Sequence, residues 1–311
     1  MLLEVKDLSV YYPIKGGFFN KVVDYVKAVD GVSFSIEEGM SYGIIGESGS
    51  GKTTIGKSII GLEKIKSGKI FYKGQPLFVH GHLNHQLRQE VQMIFQDSLS
   101  SLNPRKKIID IIAEPLKNFT SLNKEEQKEA VIELLKIVGL DEGALYKYPH
   151  QFSGGQRQRI GVARAVASKP KLIIADEPVS ALDLSVQAQV LNYMKAIQKK
   201  YHISFVFISH DLSVVHYMCD YIAIMHHGRF VEMGTVDDIY QYPTHIYTKR
   251  LLSAIPSHDV NHRKIRQQQR QAIEKEYQNK EKTYYDSDGK SYPLQALSAT
   301  HFVAFNKEGE N

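Results

Sequence analysis

The fold of this chain is decided by a glycine-rich stretch near its N-terminal end, Gly46-Glu47-Ser48-Gly49-Ser50-Gly51-Lys52-Thr53-Thr54. It follows an apolar run, residues 42–45, that predicts a strand, and it leads into residues 52–62, which predict a helix. The glycines let the backbone fold tightly, so that its N–H groups and the helix N-terminus can face the phosphates of a nucleotide. Lys52 adds a positive charge near the β- and γ-phosphates, and Thr53 supplies a hydroxyl for Mg²⁺. The stretch therefore predicts a phosphate-binding loop rather than a plain glycine-rich turn.

Composition sets the broad class of the protein. The chain has 311 residues, of which 42% are hydrophobic, and its 39 Lys and Arg residues against 34 Asp and Glu residues give a formal charge of +5. This predicts a soluble globular protein of two domains, or one large domain with an appendage. We find no apolar run of about 18 residues and no secretory leader, so we expect no membrane span. Cys219 is the only cysteine, which excludes an internal disulfide and favours a reducing, cytoplasmic setting.

Short apolar runs alternate with helical segments along most of the chain. After the strand at residues 42–45, strands are predicted at residues 171–175, 204–209 and 221–225, with a helix at residues 186–199. Because strands and helices alternate, we predict an α/β fold with a mainly parallel sheet.

Two other regions are expected to surround this sheet. Residues 2–11 and 28–36 predict antiparallel strands, separated by a Gly-, Phe- and Lys-rich segment, residues 15–27, that resembles an insertion. Residues 98–167 lack strand character and contain a predicted helix at residues 124–138. We therefore expect an N-terminal antiparallel β subdomain and a separate helical subdomain.

The composition changes near residue 256. We expect residues 1–256 to form one domain and residues 257–311 to form a C-terminal extension, because the sequence becomes polar and Gln-rich after Pro256. The extension is predicted to be helical first and then irregular. We interpret its basic residues as a solvated helical face rather than a surface for lipid or RNA: Arg263, Lys264, Arg266 and Arg270.

A second apolar run ends in two acids, Leu172-Ile173-Ile174-Ala175-Asp176-Glu177. A phosphate-binding loop needs an acidic partner for magnesium, and Asp176 would contact Mg²⁺ through a water. Glu177 would orient or deprotonate the water that attacks the γ-phosphate. The alternative is a strand that ends in solvated acids, but the phosphate loop in the same chain favours the catalytic interpretation.

Between these two motifs lies a second glycine-rich turn, Phe152-Ser153-Gly154-Gly155-Gln156-Arg157-Gln158-Arg159. Ser153 to Gln156 resemble the signature of ABC-type ATPases, which stands between the phosphate loop and the acidic strand. The resemblance implies a RecA-like core, an N-terminal antiparallel β subdomain and a helical signature subdomain. It also implies a dimer in which the signature of one subunit faces the γ-phosphate of ATP bound to the other; here those residues are Ser153, Gly154, Gly155 and Gln156.

Further positions match motifs of the same family. Gln96 resembles the glutamine that senses Mg²⁺ and the attacking water, and His210 resembles the switch histidine near the γ-phosphate. Tyr12 resembles the aromatic residue that stacks on adenine, with Tyr11 as the alternative. The loop after the acidic strand is matched by Ser180, Ala181, Leu182 and Asp183. The resemblance thus implies catalysis by Glu177, His210 and Gln96, an Mg²⁺ site at Thr53, Gln96 and Asp176, and ATP bound by Tyr12 and residues 46–54.

Three longer segments narrow the resemblance. Residues 96–104, 148–152 and 242–256 look like those of the oligopeptide, dipeptide and nickel importer ATPases, and most of all like those of the second ATPase of oligopeptide permeases. Two departures matter. Ile246 stands where the family's His-Pro-Tyr element has proline, and the cysteines that some relatives carry in the C-terminal region are absent, so an iron–sulfur cluster is not implied.

The resemblance implies the ATP-hydrolysing subunit of an oligopeptide importer, bound peripherally to the cytoplasmic face of the cell membrane. Its partners would be a second homologous ATPase, two transmembrane permease subunits and an extracellular solute-binding protein; a homodimer is the alternative. Dipeptides, nickel or another small solute are alternative cargoes. One cassette and one cysteine oppose a role on nucleic acid or ribosomes, and intact Glu177 and His210 oppose a regulator that does not hydrolyse ATP.

Two weaker features receive plain interpretations. His80, His82 and His85 lie close together and could bind Zn²⁺ or Ni²⁺, but no carboxylate or thiolate joins them at a suitable spacing, so we interpret them as part of a surface loop. Cys219 is predicted to pack at the end of a helix, residues 212–219.

Overall fold

The computed structural model describes residues 1–16, 20–79, 81–84, 87–97, 101–255, 263–279 and 281–306. The strands follow the chain as β1 Leu3–Gly16, β2 Lys21–Ile36, β3 Ser41–Ile45, β4 Ser67–Tyr72, β5 Gln75–Pro76, β6 Phe78–Val79, β7 His82–Leu83, β8 Val91–Ile94, β9 Leu172–Asp176, β10 Ser204–Ser209, β11 Tyr221–His226, β12 Arg229–Thr235, β13 Leu294–Ala296 and β14 Phe302–Ala304. The helices are α1 Lys52–Ile59, α2 Ile108–Phe119, α3 Lys124–Ile137, α4 Gly154–Val166, α5 Leu184–Tyr201, α6 Leu212–Met218, α7 Val236–Gln241, α8 Ile246–Ser253, α9 Arg263–Asn279 and α10 Glu281–Tyr284.

The central sheet has the strand order β13-β14-β12-β11-β3-β10-β9-β8. Its strands β11, β3, β10, β9 and β8 are parallel neighbours, whereas β12, β14 and β13 are antiparallel to the strands beside them. The prediction of an α/β fold with a mainly parallel core is therefore confirmed, and each predicted core strand lies within a residue or two of its observed position. Among the described residues we find no helix whose length and hydropathy would let it span a bilayer.

Both faces of the parallel strands are covered. Every residue of β3, β9 and β10 is buried, which explains why these segments read as continuous apolar runs. Successive side chains of a strand point to opposite faces, and accordingly Ile173 and Phe205 belong to the cluster that includes the helical subdomain, while Ile174 and Val206 belong to the cluster under β1 and β2. This burial holds the carboxyl ends of β3, β10, β9 and β8 side by side at one edge of the sheet.

The N-terminal part forms a separate antiparallel sheet with the order β2-β1-β4-β5. The predicted antiparallel pairing is confirmed, but the predicted strand bounds at residues 11 and 28 are wrong, because β1 and β2 continue outward until Gly16 pairs with Lys21. That residues 15–27 are an insertion stays a prediction. Residues 21–27 of β2 are exposed on both faces, so they lack the alternation of polar and apolar residues that marks a half-buried strand.

Helices α2, α3 and α4 form the helical subdomain. Their apolar residues recur at helical spacing, and Ile108, Ile111 and Ile112 of α2 pack with Val131 and Leu135 of α3 in one core cluster. Asn123 caps α3, since its side chain accepts from the N–H groups of Glu125 and Glu126. Residues 101–167 contain helices and no strand, and the bounds of the helical subdomain at residues 98 and 167 stay a prediction. Residues 98–100 lie outside the described ranges.

The C-terminal residues complete the central sheet. After α9, which packs on α8, strand β14 pairs with β12 and β13 pairs with β14. Val303 and Ala304 are fully buried. The helical start of the extension agrees with the prediction, but the expected irregular structure is wrong for residues 294–296 and 302–304, which are strands. Strands of three residues are too short to show a period in the sequence. The division at residue 256 stays a prediction, and that residue lies outside the described ranges.

Candidate functional site

The phosphate loop connects β3 to α1 and is packed tightly against two neighbouring segments. Gly51, just before α1, has a φ of 107°, and a Cβ at this position would lie 2.0 Å from the carbonyl oxygen of Ala28. A Cβ on Gly46 would lie 2.2 Å from the carbonyl oxygen of Met225. Because these contacts are to backbone, neither position accepts a side chain without a backbone shift. The tight course of the loop therefore requires glycine at both positions.

Lys52 is held inside this loop. Its side chain is buried, and Nζ donates to the carbonyl oxygens of Gly46 and Glu47, each at 2.8 Å. Burial lowers the pKa of Lys52, and the nearby carboxylates of Glu177 and Asp176 oppose that shift. The ammonium therefore sits among backbone carbonyls that a phosphate group can replace.

Thr53 and Asp176 meet at the predicted magnesium site. Thr53 donates from Oγ1 to Oδ1 of Asp176 at 2.9 Å, and Asp176 is buried at the end of β9. Burial raises the pKa of Asp176, while the hydrogen bond from Thr53 acts in the opposite direction. Neighbouring hydroxyl and carboxylate oxygens are the ligands that Mg²⁺ prefers, so these two residues fit the ion.

The three residues predicted to be catalytic lie in contact. Nε2 of Gln96 donates to Oε2 of Glu177 at 2.8 Å, and Nδ1 of His210 lies 3.1 Å from Oε1 of the same carboxylate. Gln96 follows β8, Glu177 follows β9 and His210 follows β10, so adjacent parallel strands deliver the three side chains to one edge of the sheet. This arrangement could be expected from the strand order but not from the separation of the residues in sequence.

The backbone of Glu177 is held in an uncommon conformation. Its φ is 45°, a region that non-glycine residues rarely adopt, and its N–H donates to the carbonyl oxygen of Ile208 at 2.8 Å. The side chain is only 14% exposed, whereas that of His210 is 56% exposed. Glu177 is thus fixed at the edge of the site, and His210 covers it from the solvent side.

The predicted signature forms the start of α4. The Ser153 side chain accepts from the N–H of Gln156 at 3.3 Å, and the Gln156 side chain accepts from the N–H of Ser153 at 3.0 Å. This reciprocal pair is a capping box, which fixes the N-terminus of the helix. Gly155 packs against α5, since a Cβ there would lie 2.3 Å from Cγ1 of Val186. Gly154 is the first residue of α4, so the segment presents a helix N-terminus of the kind that binds anions.

The loop after β9 joins the signature region to Glu177. Ser180 donates from Oγ to the carbonyl oxygen of Glu177 at 3.2 Å, and Asp183 caps α5 by accepting from the N–H of Val186. Leu182 lies near Gly154, because a Cβ on that glycine would be 3.7 Å from Cδ2 of Leu182. Ala181 stands within the same exposed loop.

Tyr12 and Tyr11 differ in their surroundings: the Tyr12 hydroxyl interacts with Thr54, in the phosphate loop, and with Glu63, whereas the Tyr11 hydroxyl faces Asp30. Tyr11 donates to Oδ1 of Asp30 at 2.5 Å, and Asp30 also pairs with Arg229 at 2.8 Å, so the Tyr11 ring is held in a local network. The Tyr12 side chain is 37% exposed. The contrast favours Tyr12 over Tyr11 as the residue available for stacking on a base.

The sequence analysis did not predict one contact to the phosphate loop, which is made by Tyr247. The N–H of Glu47 donates to Oη of Tyr247, on α8, at 3.1 Å. The two residues are 200 positions apart, and no local pattern connects them. The segment around Tyr247 was noted only for its resemblance to importer ATPases.

The weaker motifs stay outside the site. His80 and His85 fall outside the described residues, and among the described residues no group of three His, Cys, Asp or Glu side chains is placed to hold a metal. Cys219 is buried directly after α6, as predicted, and burial raises the pKa of its thiol. Of the basic residues in the extension, Arg270 donates from Nε to the carbonyl oxygen of Ser253 at 2.7 Å.

Comparison with known proteins agrees with this geometry. Residues 29–180 match the family described as ABC transporter, and residues 231–287 match the one described as oligopeptide/dipeptide transporter, C-terminal region. The chain is 58% identical to the oligopeptide transport ATP-binding protein OppF of Lactococcus lactis subsp. lactis, over 100% of this chain and 98% of that protein. It is 47% identical to the dipeptide transport ATP-binding protein DppF of Escherichia coli, over 85% of this chain and 79% of that protein.

A solved structure supports the fold assignment. A dimeric, post-hydrolysis state of an ATP-binding cassette, bound to ADP and Pi, matches with a TM-score of 0.66 and 26% identity, over 76% of this chain and 99% of that chain. The alignment covers nearly all of that cassette, so this chain shares its overall fold. Together with its full-length relatives, this places the chain in the ABC transporter family, among its ATP-binding subunits.

Proposed function

We propose that this chain hydrolyses ATP to energise the uptake of oligopeptides through permease partners. The observation that carries the catalytic part is the convergence of Gln96 and His210 on the carboxylate of Glu177, beside the phosphate loop. A carboxylate held from two sides is placed to bind and deprotonate an attacking water. A nucleotide-binding regulator without hydrolysis would have no need of this arrangement.

The residues of the site have separate roles in binding the phosphates, binding Mg²⁺ and activating water. The N–H groups of the loop and the ammonium of Lys52 hold the phosphates, with Lys52 exchanging the carbonyl oxygens of Gly46 and Glu47 for phosphate oxygens. Thr53 and Asp176, with the side-chain oxygen of Gln96, would hold Mg²⁺, which neutralises charge on the β- and γ-phosphates. Glu177 accepts the proton of the attacking water, and the exposed ring of His210 can turn to donate to the γ-phosphate.

Two such subunits would share each nucleotide. Ser153 to Gln156 present a capped helix N-terminus, which suits the γ-phosphate of ATP bound to a partner. Leu184, at the start of α5 and next to the exposed loop of Ser180 to Asp183, is 80% exposed and is the kind of side chain that association covers. ATP would close the dimer, and loss of the γ-phosphate contacts would open it.

The comparisons support oligopeptides as the cargo. The oligopeptide transport relative aligns over the whole chain at 58% identity, whereas the dipeptide transport relative aligns over 85% of it at 47%. The match of residues 231–287 to the oligopeptide/dipeptide transporter C-terminal region includes both kinds of cargo. We further propose a second homologous ATPase, two permease subunits, an extracellular solute-binding protein and a peripheral position at the cytoplasmic face of the membrane.

The partners are tested by purifying the tagged Glu177→Gln protein from its native membranes with ATP and Mg²⁺ and identifying the proteins that accompany it. We expect two permeases and a second ATPase, because the variant retains ATP in the closed state. The matched control is Lys52→Ala, in which the closed state is lost while the rest of the surface is unchanged. Recovery of ribosomes or nucleic acid without membrane proteins would contradict the transport function.

The cargo is tested by uptake into proteoliposomes that contain the recovered complex and its solute-binding protein. We expect uptake of labelled oligopeptides that requires ATP and is lost with Glu177→Gln. Uptake of nickel or dipeptides with no uptake of longer peptides would refute the proposal that oligopeptides are the cargo. It would leave the proposed ATPase function unchanged.

A further inference from the structure

The His245-Ile246-Tyr247 element has a defined place at the start of α8. His245 caps this helix: its Nδ1 accepts from the N–H of Tyr247 at 3.1 Å. The N–H groups of Thr244 and His245 donate to the buried carboxylate of Glu232 at 2.8 and 3.0 Å. Ile246 takes the first helical position, where proline is also favoured, so its presence in place of proline leaves the geometry of the element intact.

Tyr247 contacts the phosphate loop at one peptide group. The N–H of Glu47 donates to Oη of Tyr247 at 3.1 Å, and the carbonyl oxygen of the same peptide, on Gly46, accepts from Nζ of Lys52 at 2.8 Å. The two bonds hold opposite sides of one planar group. The orientation of this peptide therefore depends on Tyr247, and the position of Lys52 depends on the orientation of the peptide.

Tyr247 itself is held by the C-terminal residues. Its side chain is fully buried, and its ring stacks on the ring of His226 at 4.0 Å between centroids. Oη of Tyr285 lies 2.8 Å from Nδ1 of His226. Burial lowers the pKa of His226 to about 3, so the ring stays neutral near pH 7 and the stack carries no charge.

A second contact between α8 and the loop is weaker. Arg250 lies 3.9 Å from the carboxylate of Glu47, and both side chains are more than one-third exposed. Arg250 also pairs with Glu274 at 3.0 Å. Since exposed ion pairs contribute little, the half-buried hydrogen bond from Glu47 to Tyr247 is the contact that can hold the loop.

We propose that Tyr247 is a positioning residue for ATP binding, through which the C-terminal region sets the conformation of the phosphate loop. The proposal rests on the ATPase function proposed above. Tyr247 acts through the Gly46–Glu47 peptide: when its hydroxyl is present, the loop is ordered before ATP arrives, and the nucleotide does not have to order it. The role belongs to ATP affinity rather than to the chemical step, because Glu177, Gln96 and His210 do not contact Tyr247.

The test uses Tyr247→Phe, which keeps the ring and its stacking on His226 and removes only the hydroxyl. The matched control is Tyr240→Phe, which also removes a hydroxyl, here from a half-buried tyrosine that donates to the carbonyl oxygen of Leu212 on α6 rather than to the phosphate loop. Arg250→Ala serves as the test of the exposed contact. Each variant is assembled in the full complex recovered from membranes, and KM and kcat for ATP are measured by phosphate release.

We expect Tyr247→Phe to raise KM for ATP by about threefold to tenfold, the effect of one hydrogen bond, with kcat within about twofold of wild type. Tyr240→Phe and Arg250→Ala should leave KM within about twofold. An unchanged KM in Tyr247→Phe, an equal rise in Tyr240→Phe, or a fall in kcat without a change in KM would overturn the proposal.

Amide hydrogen exchange of the isolated full chain gives a second readout that does not need hydrolysis. Without its acceptor, the Glu47 N–H should exchange faster in Tyr247→Phe, and it should be unchanged in Tyr240→Phe. Failure of the wild-type complex to release phosphate would count against the proposed ATPase function. Unchanged exchange at Glu47 would count against Tyr247 whatever the activity of the complex.

Discussion

His301 offers a sharp test of whether the C-terminal strands are an integral part of the central sheet. Nε2 of His301 lies 2.7 Å from Oε1 of Glu232, whose side chain is fully buried and has two further donors, the N–H groups of Thr244 and His245. His301→Ala removes one of these three partners. The carboxylate would then keep only neutral donors in a fully buried site.

The size of the expected loss of stability follows from the burial of the Glu232 carboxylate. A hydrogen bond to a charged group contributes about 1.5–3 kcal/mol, and removal of one partner of a buried ion pair costs about 3–5 kcal/mol, so we expect a loss of about 3 kcal/mol. At about 2.1 cal/mol/K per residue, the 311 residues have an unfolding entropy of about 0.65 kcal/mol/K. The expected fall in the midpoint of thermal unfolding is therefore about 5 °C.

The effect should depend on pH with a definite sign. The hydrogen bond with Glu232 raises the pKa of His301 above its ordinary value of 6.5. A raised folded-state pKa adds stability that is fully present below pH 6.5 and is lost as the pH rises through the folded-state value. The gap in unfolding midpoint between wild type and His301→Ala should thus be largest at pH 6 and smaller at pH 9.

The assay is calorimetry or thermal circular dichroism of both proteins at pH 6 and pH 9. His301→Gln, which keeps a donor but has no charge, should lose about half as much stability at pH 6. Thr300→Ala, whose hydroxyl is exposed and bonds Asp238 at 2.9 Å, is the control and should change the midpoint by about 1 °C or less. A gap that is equal at both pH values, or larger at pH 9, would refute the reasoning.

Three further predictions concern the nucleotide site. Lys52→Ala should raise the Kd for ATP by about tenfold or more, because the only buried ammonium of the loop is lost; titration with a fluorescent ATP analogue measures it. Gly51→Ala should abolish ATP binding in the same titration, since a Cβ there would lie 2.0 Å from the Ala28 carbonyl oxygen. Gly49 also has a positive φ, 83°, which strains a side chain, but a Cβ there meets nothing within 4 Å, so Gly49→Ala should bind ATP more weakly but measurably. Gln96→Ala and His210→Ala should lower kcat by about tenfold to a hundredfold with KM within about threefold in phosphate-release assays; a rise in KM with kcat unchanged would show that they bind ATP rather than orient the water.

The sequence predicted those features that are local or periodic. Gly46 to Thr54 form a continuous motif between a strand and a helix, and the buried strands before Asp176 and His210 read as apolar runs. The roles of Gln96 and His210 came from the resemblance to a family. The order of the strands, which brings both side chains into contact with Glu177, came only from the structure.

Other features depend on contacts that no local pattern records. Tyr247 reaches Glu47 across 200 positions, and only the packing of α8 against the loop brings them together. Val303 and Ala304 are buried by pairing with β12, in a strand of three residues that is too short to show alternation. The outer half of the β1–β2 hairpin was not predicted as strand because both faces of β2 are exposed there, so hydrophobic patterning gives no signal.

The central claim is that Glu177 carries the hydrolytic step and leaves ATP binding to the loop. The most direct measurement compares wild type and Glu177→Gln for ATP affinity and for phosphate release by the assembled complex. We predict that Glu177→Gln lowers kcat by about a hundredfold or more while the Kd for ATP stays within about threefold, in contrast to Lys52→Ala, which loses binding. An equal loss of binding in both variants, or phosphate release by Glu177→Gln at the wild-type rate, would contradict the account.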